Sequence, residues 1–288
     1  MNQAVIFTPF EARKEKFEKI FRLKSVVRNR LKKLLNQRIA LALLSLSSIL
    51  FIWWQISIWH IVPELLLPSP VSIFHAFVDL LAHGYMNVSL GTHLGASLAR
   101  IGLALGLALI TAIPVGFILG LNRIGRGLLD PLIELYRPVP PLAWLPLMII
   151  WFGIGELSKV LLIYLSVFAP LAITTASSVL RVKPARLQAA LSLGASRFQL
   201  LRYVILPHTL PDILVGLRVA LGLAWSTLVA AELIAATEGI GFMVYAASKF
   251  MMSDVVISGI VMIAFVALSM ELCLRFLQNK LTPWQSEL

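Results

Sequence analysis

Few side chains in this chain of 288 residues could do chemistry. Cys273 stands alone, so neither a disulfide framework nor a cysteine zinc site can be built. His60, His75, His83 and His93 are separated by 15, 8 and 10 residues, which matches no compact ligand motif, and no metal site is expected. H-E-x-x-H is absent, no Ser/His pair falls at matching depth in the apolar stretches, and Cys273 has no neighbouring His, which argues against an intramembrane enzyme. No Lys follows a Gly anywhere, so the phosphate-cradling loop of an ATPase is missing. What remains is a small set of charges in apolar surroundings. Arg137 and Glu232 each sit inside a long apolar stretch, where an ionised group is costly unless it faces an aqueous interior or is paired. Two readings stay open: they border a path through the membrane, with Trp144, Trp225, Ser226 and Thr227 supplying an apolar wall and weak hydrogen bonds, or they form an Arg–Glu pair that ties two spans together.

The elements that must position these residues follow from composition. Hydrophobic residues make up 59% of the chain and charged residues 14%, far below the quarter typical of a water-soluble domain. At about 20 apolar residues per helical span, the length admits roughly five to seven helices in one all-α integral membrane domain. A walk along the charges gives six, at 39–59, 96–121, 129–152, 157–180, 211–236 and 255–277. Pro68-Ser69-Pro70, followed by Val71, Ile73, Phe74, Phe77, Leu80 and Leu81, predicts a short surface helix between the first two spans, with Pro at its start. In the second span, Gly102/Gly106 and Gly116/Gly120 form two small-xxx-small pairs suited to close helix contact. The 129–152 span holds Pro131, Pro138, Pro140, Pro141 and Pro146, each lacking a backbone donor, so it must be broken or line a cavity.

The net charge of +11 is concentrated in a tail: residues 1–38 carry 11 Lys/Arg against Glu11, Glu15 and Glu18. Residues 39–99 carry no Lys or Arg, so the positive-inside rule places both termini and the basic 181–208 loop in the cytoplasm. That location makes nucleic acid an unneeded partner for the charge. The expected organisation is a basic cytoplasmic tail, 1–38, and a transmembrane domain, 39–288. Phe17, Ile20, Phe21 and Lys24, with Arg13, Lys14 and Lys16, fit either an amphipathic helix on anionic lipid or a simple topology-fixing arm.

The 181–208 loop is the most informative segment. Lys183-Pro184 opens a helix that Ala185, Gln188, Ala189, Ala190 and Leu191 continue, and Gly194 stops it as a left-handed cap would. Ser196 and Gln199 form a capping box for a second helix, 197–205, expected to end at Pro207. The small residues Ala189, Ala190 and Gly194 let a partner surface come close.

Gln188-Ala189-Ala190, three residues, Gly194, nine residues, Val204, one residue, Leu206-Pro207 resembles the EAA loop in the permease subunits of binding-protein-dependent ABC importers. Gln188 and Val204 stand where that family commonly has Glu and Ile, and Gln keeps the length and hydrogen bonding of Glu without its charge. Asp130-Pro131, Glu134-Leu135-Tyr136-Arg137-Pro138, Ala143-Trp144-Leu145-Pro146-Leu147, Trp151-Phe152-Gly153-Ile154-Gly155-Glu156, 225–234 and Leu281-Thr282-Pro283-Trp284 are similar to its nitrate, taurine and aliphatic-sulfonate branch, the taurine members above all. The resemblance implies a type I importer permease fold with a cytoplasmic coupling helix in a bacterial inner membrane. It further implies a homodimer with two ATPase subunits that bind ATP and Mg, a periplasmic substrate-binding protein, and a small sulfonate, taurine first, as cargo. Gln188, Ala189, Ala190, Gly194, Arg197 and Pro207 would then couple to the ATPase. A nitrate or alkanesulfonate permease is the alternative within the family. An ion-coupled secondary transporter is the alternative outside it, and would need no such loop.

Overall fold

A computed structural model describes Gln37 and residues 40–284; the basic tail expected at 1–38 lies almost wholly outside these. Helix α1, Ala40–Ile58, belongs to a first compact unit, Met1–Pro70, and its apolar side chains are largely exposed, as in a helix solvated by lipid. Within this unit the hydroxyls of Ser45, Ser47 and Ser48 donate back to carbonyls three residues earlier, and Trp53 Nε1 donates to the Pro68 carbonyl at 3.2 Å.

The second unit, Val71–Leu288, contains the rest. The surface helix forms as α2, Pro70–His83, with Pro at its first position. It buries Ile73 and Leu80 and leaves Val71, Phe74 and Leu81 exposed. Three long helices make the core: α3, Leu90–Leu121; α6, Glu156–Leu180; and α9, Leu206–Ala235. Helix α3 starts six residues before the predicted 96, because the Ser89 hydroxyl caps it by accepting from Thr92 N–H. Ile101, Ala104, Ala108 and Ala112 repeat along one face of α3, fully buried against Ile163, Val167, Leu171 and Ala172 of α6 and Leu221, Ala224 and Leu228 of α9. Helices α10, Ile240–Lys249, and α11, Ser253–Leu281, pack with α2 in a second cluster around Leu80, Met243 and Val255. Among the described residues five helices are long and apolar enough to cross a membrane.

The predicted 129–152 span is not one helix. It is split into α4, Arg123–Tyr136, a 3₁₀ turn, Pro141–Trp144, and α5, Leu145–Phe152, which Gly153 ends at φ +76°. The break falls at Pro138, Pro140 and Pro141, each of which removes a donor that a continuous helix would need, while Pro131 is accommodated inside α4 and Pro146 in the first turn of α5. Helix α5 is seated by Leu145 and Met148 against Leu162 of α6 and Ala231 of α9.

The 181–208 loop forms α7, Pro184–Ser192, turns at Gly194 with φ +82°, and restarts as α8, Arg197–Leu200. Both arms of the expected capping box are present: Gln199 N–H donates to Ser196 Oγ, and Ser196 N–H donates to Gln199 Oε1. The expected stop at Pro207 does not occur. A π-helical turn, Leu201–Ile205, carries the chain into α9, so the helix runs unbroken from Arg197 to Ile234. Pro207 falls in the first turn of α9, and the wider i→i+5 turn before it relieves the need for its absent N–H.

Candidate functional site

The broken 123–152 segment produces a cavity of about 380 Å³, at the small end of the range for small-molecule sites. Tyr136, Arg137 and the Pro140-Pro141 corner form one wall, with Trp144 from the 3₁₀ turn. Ser166, Ala169 and Pro170 of α6 and Leu223, Ser226 and Thr227 of α9 form the other. Arg137, Trp144, Ser226 and Thr227 thus line one cavity; Trp225 and Glu232 are not on its wall.

The polar groups here are sparse and underused. Arg137 is exposed, and its guanidinium makes no hydrogen bond or ion pair among the described residues. Ser166 and Ser226 hydroxyls donate to the carbonyls of Ile163 and Gly222. Among the described residues the Thr227 hydroxyl has no hydrogen-bond partner, although the residue is only 7% exposed. Among the described residues the Trp144 indole nitrogen and the Tyr136 hydroxyl are buried without a partner, as is the indole nitrogen of Trp225, which packs into the α3–α6–α9 core.

Glu232 is fully buried, and its partner is Arg100 rather than Arg137. Arg100 Nη1 donates to Glu232 Oε1 at 2.6 Å, Ser97 Oγ donates to the same oxygen at 2.8 Å, and Gly241 N–H donates to Oε2 at 2.8 Å. Arg100 also forks onto Glu156 through Nε at 2.6 Å and Nη2 at 2.8 Å, and reaches the Glu238 carbonyl. Lys159 joins Glu156 at 2.7 Å. The Gly239-Ile240-Gly241 turn closes over this cluster: Gly239 N–H donates to His93 Nδ1, Ile240 N–H to Ser97 Oγ, and Gly241 N–H to Glu232. The carboxylate therefore lies at the positive end of α10, a stabilising place for an anion. A Cβ at Gly239 would sit 2.4 Å from Glu232 Cδ, so only glycine allows the turn to approach. The cluster joins α3, α6, α9 and α10. Arg100 is the residue sequence reasoning missed. It is the only Lys or Arg between 39 and 122, and its place inside the second span was the available signal.

The bent loop is anchored on one side only. Leu187, Leu200 and Leu201 pack on the buried cluster of Val179, Val182 and Ile205. Its other side exposes Gln188, Ala189, Gly194 and Arg197, while Ala190 and Pro207 are half-buried. Leu193 is 89% exposed and Phe198 67%, a concentration of uncovered apolar surface around the Gly194 bend. Arg181 and Ser178 at the end of α6 both hold Asp212 of α9 at 2.6 Å, which fixes where the loop leaves and rejoins the core. Among the described residues no group of three His, Cys, Asp or Glu could hold a metal ion. Cys273 is exposed and free.

Residues 112–286 match the family described as "Binding-protein-dependent transport system inner membrane component". Among curated proteins, the chain is 52% identical over 254 residues to the taurine transport system permease protein TauC of Escherichia coli (strain K12), covering 88% of this chain and 92% of that one. It is 36% identical over 238 residues to a putative aliphatic sulfonates transport permease protein, SsuC, of Bacillus subtilis (strain 168), covering 83% and 85%. Among solved structures, an inward-facing form of the MetNI methionine ABC transporter superimposes with a TM-score of 0.57 at 18% identity, over 65% of this chain and 93% of that one, a likeness of fold.

Proposed function

The chain belongs to the inner membrane components of binding-protein-dependent transport systems, with the all-α type I importer permease fold, and from that premise we propose that it carries a small sulfonate, taurine first, into the cell. The chain is a non-catalytic permease subunit and a multi-pass membrane protein. Its proposed assembly is two copies around a shared path, with two ATPase subunits that bind ATP and Mg on the cytoplasmic side and a periplasmic binding protein on the other. Both termini and the 181–208 loop face the cytoplasm in this arrangement.

The observation that carries the mechanism is the bent loop and its continuity with α9. A cytoplasmic elbow with uncovered Leu193 and Phe198 and accessible small residues suits a docking cleft, and closure of the ATPases would move it. Gln188, Ala189, Ala190, Gly194 and Arg197 are the proposed docking residues, and Pro207 sits where the docked part joins α9. Helix α9 bears Ser226 and Thr227 on the cavity wall, so displacement of the elbow reaches the site without a flexible joint. Arg137, Trp144, Ser226 and Thr227 are proposed to border the path. Trp225 and Glu232 act behind it, Trp225 by packing and Glu232 by fixing α9 to α3 and α10. The choice of sulfonate as cargo rests on the taurine-transport and sulfonate-transport relatives.

Proteoliposomes test this. With its ATPase and binding protein, the chain should accumulate labelled taurine only when ATP is supplied. The chain alone should accumulate none. Uptake by the chain alone, or uptake that survives removal of residues 184–207, would overturn the reading.

A further inference from the structure

We infer that the 380 Å³ cavity is the part of the path that holds the sulfonate head of the cargo, through Arg137, Thr227 and Trp144, and that it does not read the amine. This rests on the reading of the cavity as part of the path. Among the described residues the lining contains one cation, Arg137, and no carboxylate. An exposed guanidinium without a partner, in a chain this apolar, calls for water or an anion beside it. Around it, among the described residues, the unused groups are a Thr227 hydroxyl on a residue 7% exposed, the buried Trp144 N–H and the buried Tyr136 hydroxyl. All three can donate, and Trp144 can only donate. A sulfonate offers three acceptor oxygens, a negative charge and no donors, which complements that wall. An ammonium group finds no counter-charge there: the buried carboxylate of Glu232 is held by Arg100, Ser97 and Gly241 and is not part of the lining. The amine of taurine is left in the open mouth, in water. Ethanesulfonate, which lacks the amine, should therefore occupy this site as well as taurine does, and discrimination between them falls to another component.

The test uses the complex of this chain with its ATPase in nanodiscs of zwitterionic lipid, so that no anionic headgroup competes for Arg137. Taurine, ethanesulfonate and ethylamine are titrated while indole fluorescence is followed, with Trp144→Phe identifying the reporter. Taurine and ethanesulfonate should quench with midpoints within about threefold of each other, and ethylamine should not quench. Arg137→Gln should raise both midpoints by about tenfold or more, the scale of a lost charge-assisted hydrogen bond, and Arg137→Lys by less. A taurine midpoint about tenfold below that of ethanesulfonate, unchanged midpoints in Arg137→Gln, or no quenching by either sulfonate would each overturn the inference. Ser226→Cys in a Cys273→Ser background separates this from the reading beneath it. If a thiol-directed blocker at position 226 stops taurine uptake while Arg137→Gln leaves the midpoints unchanged, the path stands and the sulfonate subsite falls. If the blocker leaves uptake intact, both fall.

Discussion

Arg100 holds two carboxylates at once, Glu232 with no exposure and Glu156 with its side chain 62% exposed. Removing the guanidinium leaves the first of these buried and unpaired, whereas Glu156 can turn to water and to Lys159. Arg100→Met should therefore destabilise the chain by about 3–5 kcal/mol, and adding Glu232→Leu should recover much of the loss, since the one buried charge left in the cluster, Lys159, keeps its partner Glu156. Thermal unfolding of the purified variants checks this; equal loss in the single and double variants would contradict it. Gly194 makes a different kind of demand. Among the described residues a Cβ there meets nothing within 4 Å, so the cost of substitution is its φ of +82° and not a clash. Gly194→Val should weaken recovery of the ATPase with the chain, with an expected conformational cost of about 1–2 kcal/mol, and Gly194→Asn should be milder because Asn tolerates the left-handed region. At this scale the sequence showed the special glycine, because a cap signal is local. It did not show which base-acid pair forms, because Arg100 and Glu232 are 132 residues apart and only the fold brings them together.

Helix against helix, the two small-residue pairs of α3 look alike in sequence but differ in the fold. A Cβ at Gly116 would lie 2.5 Å from Thr175 Cβ, and one at Gly120 would lie 2.6 Å from Val179, whereas Gly102 and Gly106 face open space. Gly116→Ala should loosen the α3–α6 contact and lower the thermal midpoint. Gly106→Ala should leave it unchanged or raise it, since Ala is favoured over Gly in a helix by about 1 kcal/mol. Periodicity and capping located the long helices, the surface helix and the bend, because apolar runs, prolines and a Ser-x-x-Gln box act over a turn or two. They did not locate the continuation past Pro207. Proline announces a missing donor, but whether a helix stops there depends on whether the preceding turn can widen, and that is settled by packing of Leu200, Leu201 and Ile205.

For the molecule as a whole, the distribution of charge fixes the proposed orientation, and labelling can check it. In a Cys273→Ser background, Lys249→Cys should react with an impermeant thiol reagent on intact cells, and Lys183→Cys only after the membrane is opened; the reverse pattern would invert the orientation. The cavity lining was legible in several of its members but not in its boundary. Arg137, Trp144, Ser226 and Thr227 were recognisable as polar or aromatic groups in apolar stretches. That Glu232 belongs to a separate ionic cluster required knowing that the Gly239-Ile240-Gly241 turn folds back on it.

The helix from Arg197 to Ile234 has 38 residues, so at about 1.5 Å per residue it is about 57 Å long. One end of this rod is the exposed elbow and the other is clamped at Glu232 by Arg100, which makes the clamp a fulcrum. A tilt of about 5° about that pivot carries the elbow end through about 5 Å, with Ser226 and Thr227 close to the pivot and so displaced far less. The geometry is one of mechanical advantage: a long stroke at the elbow, the proposed ATPase dock, becomes a short, forceful one at the proposed path.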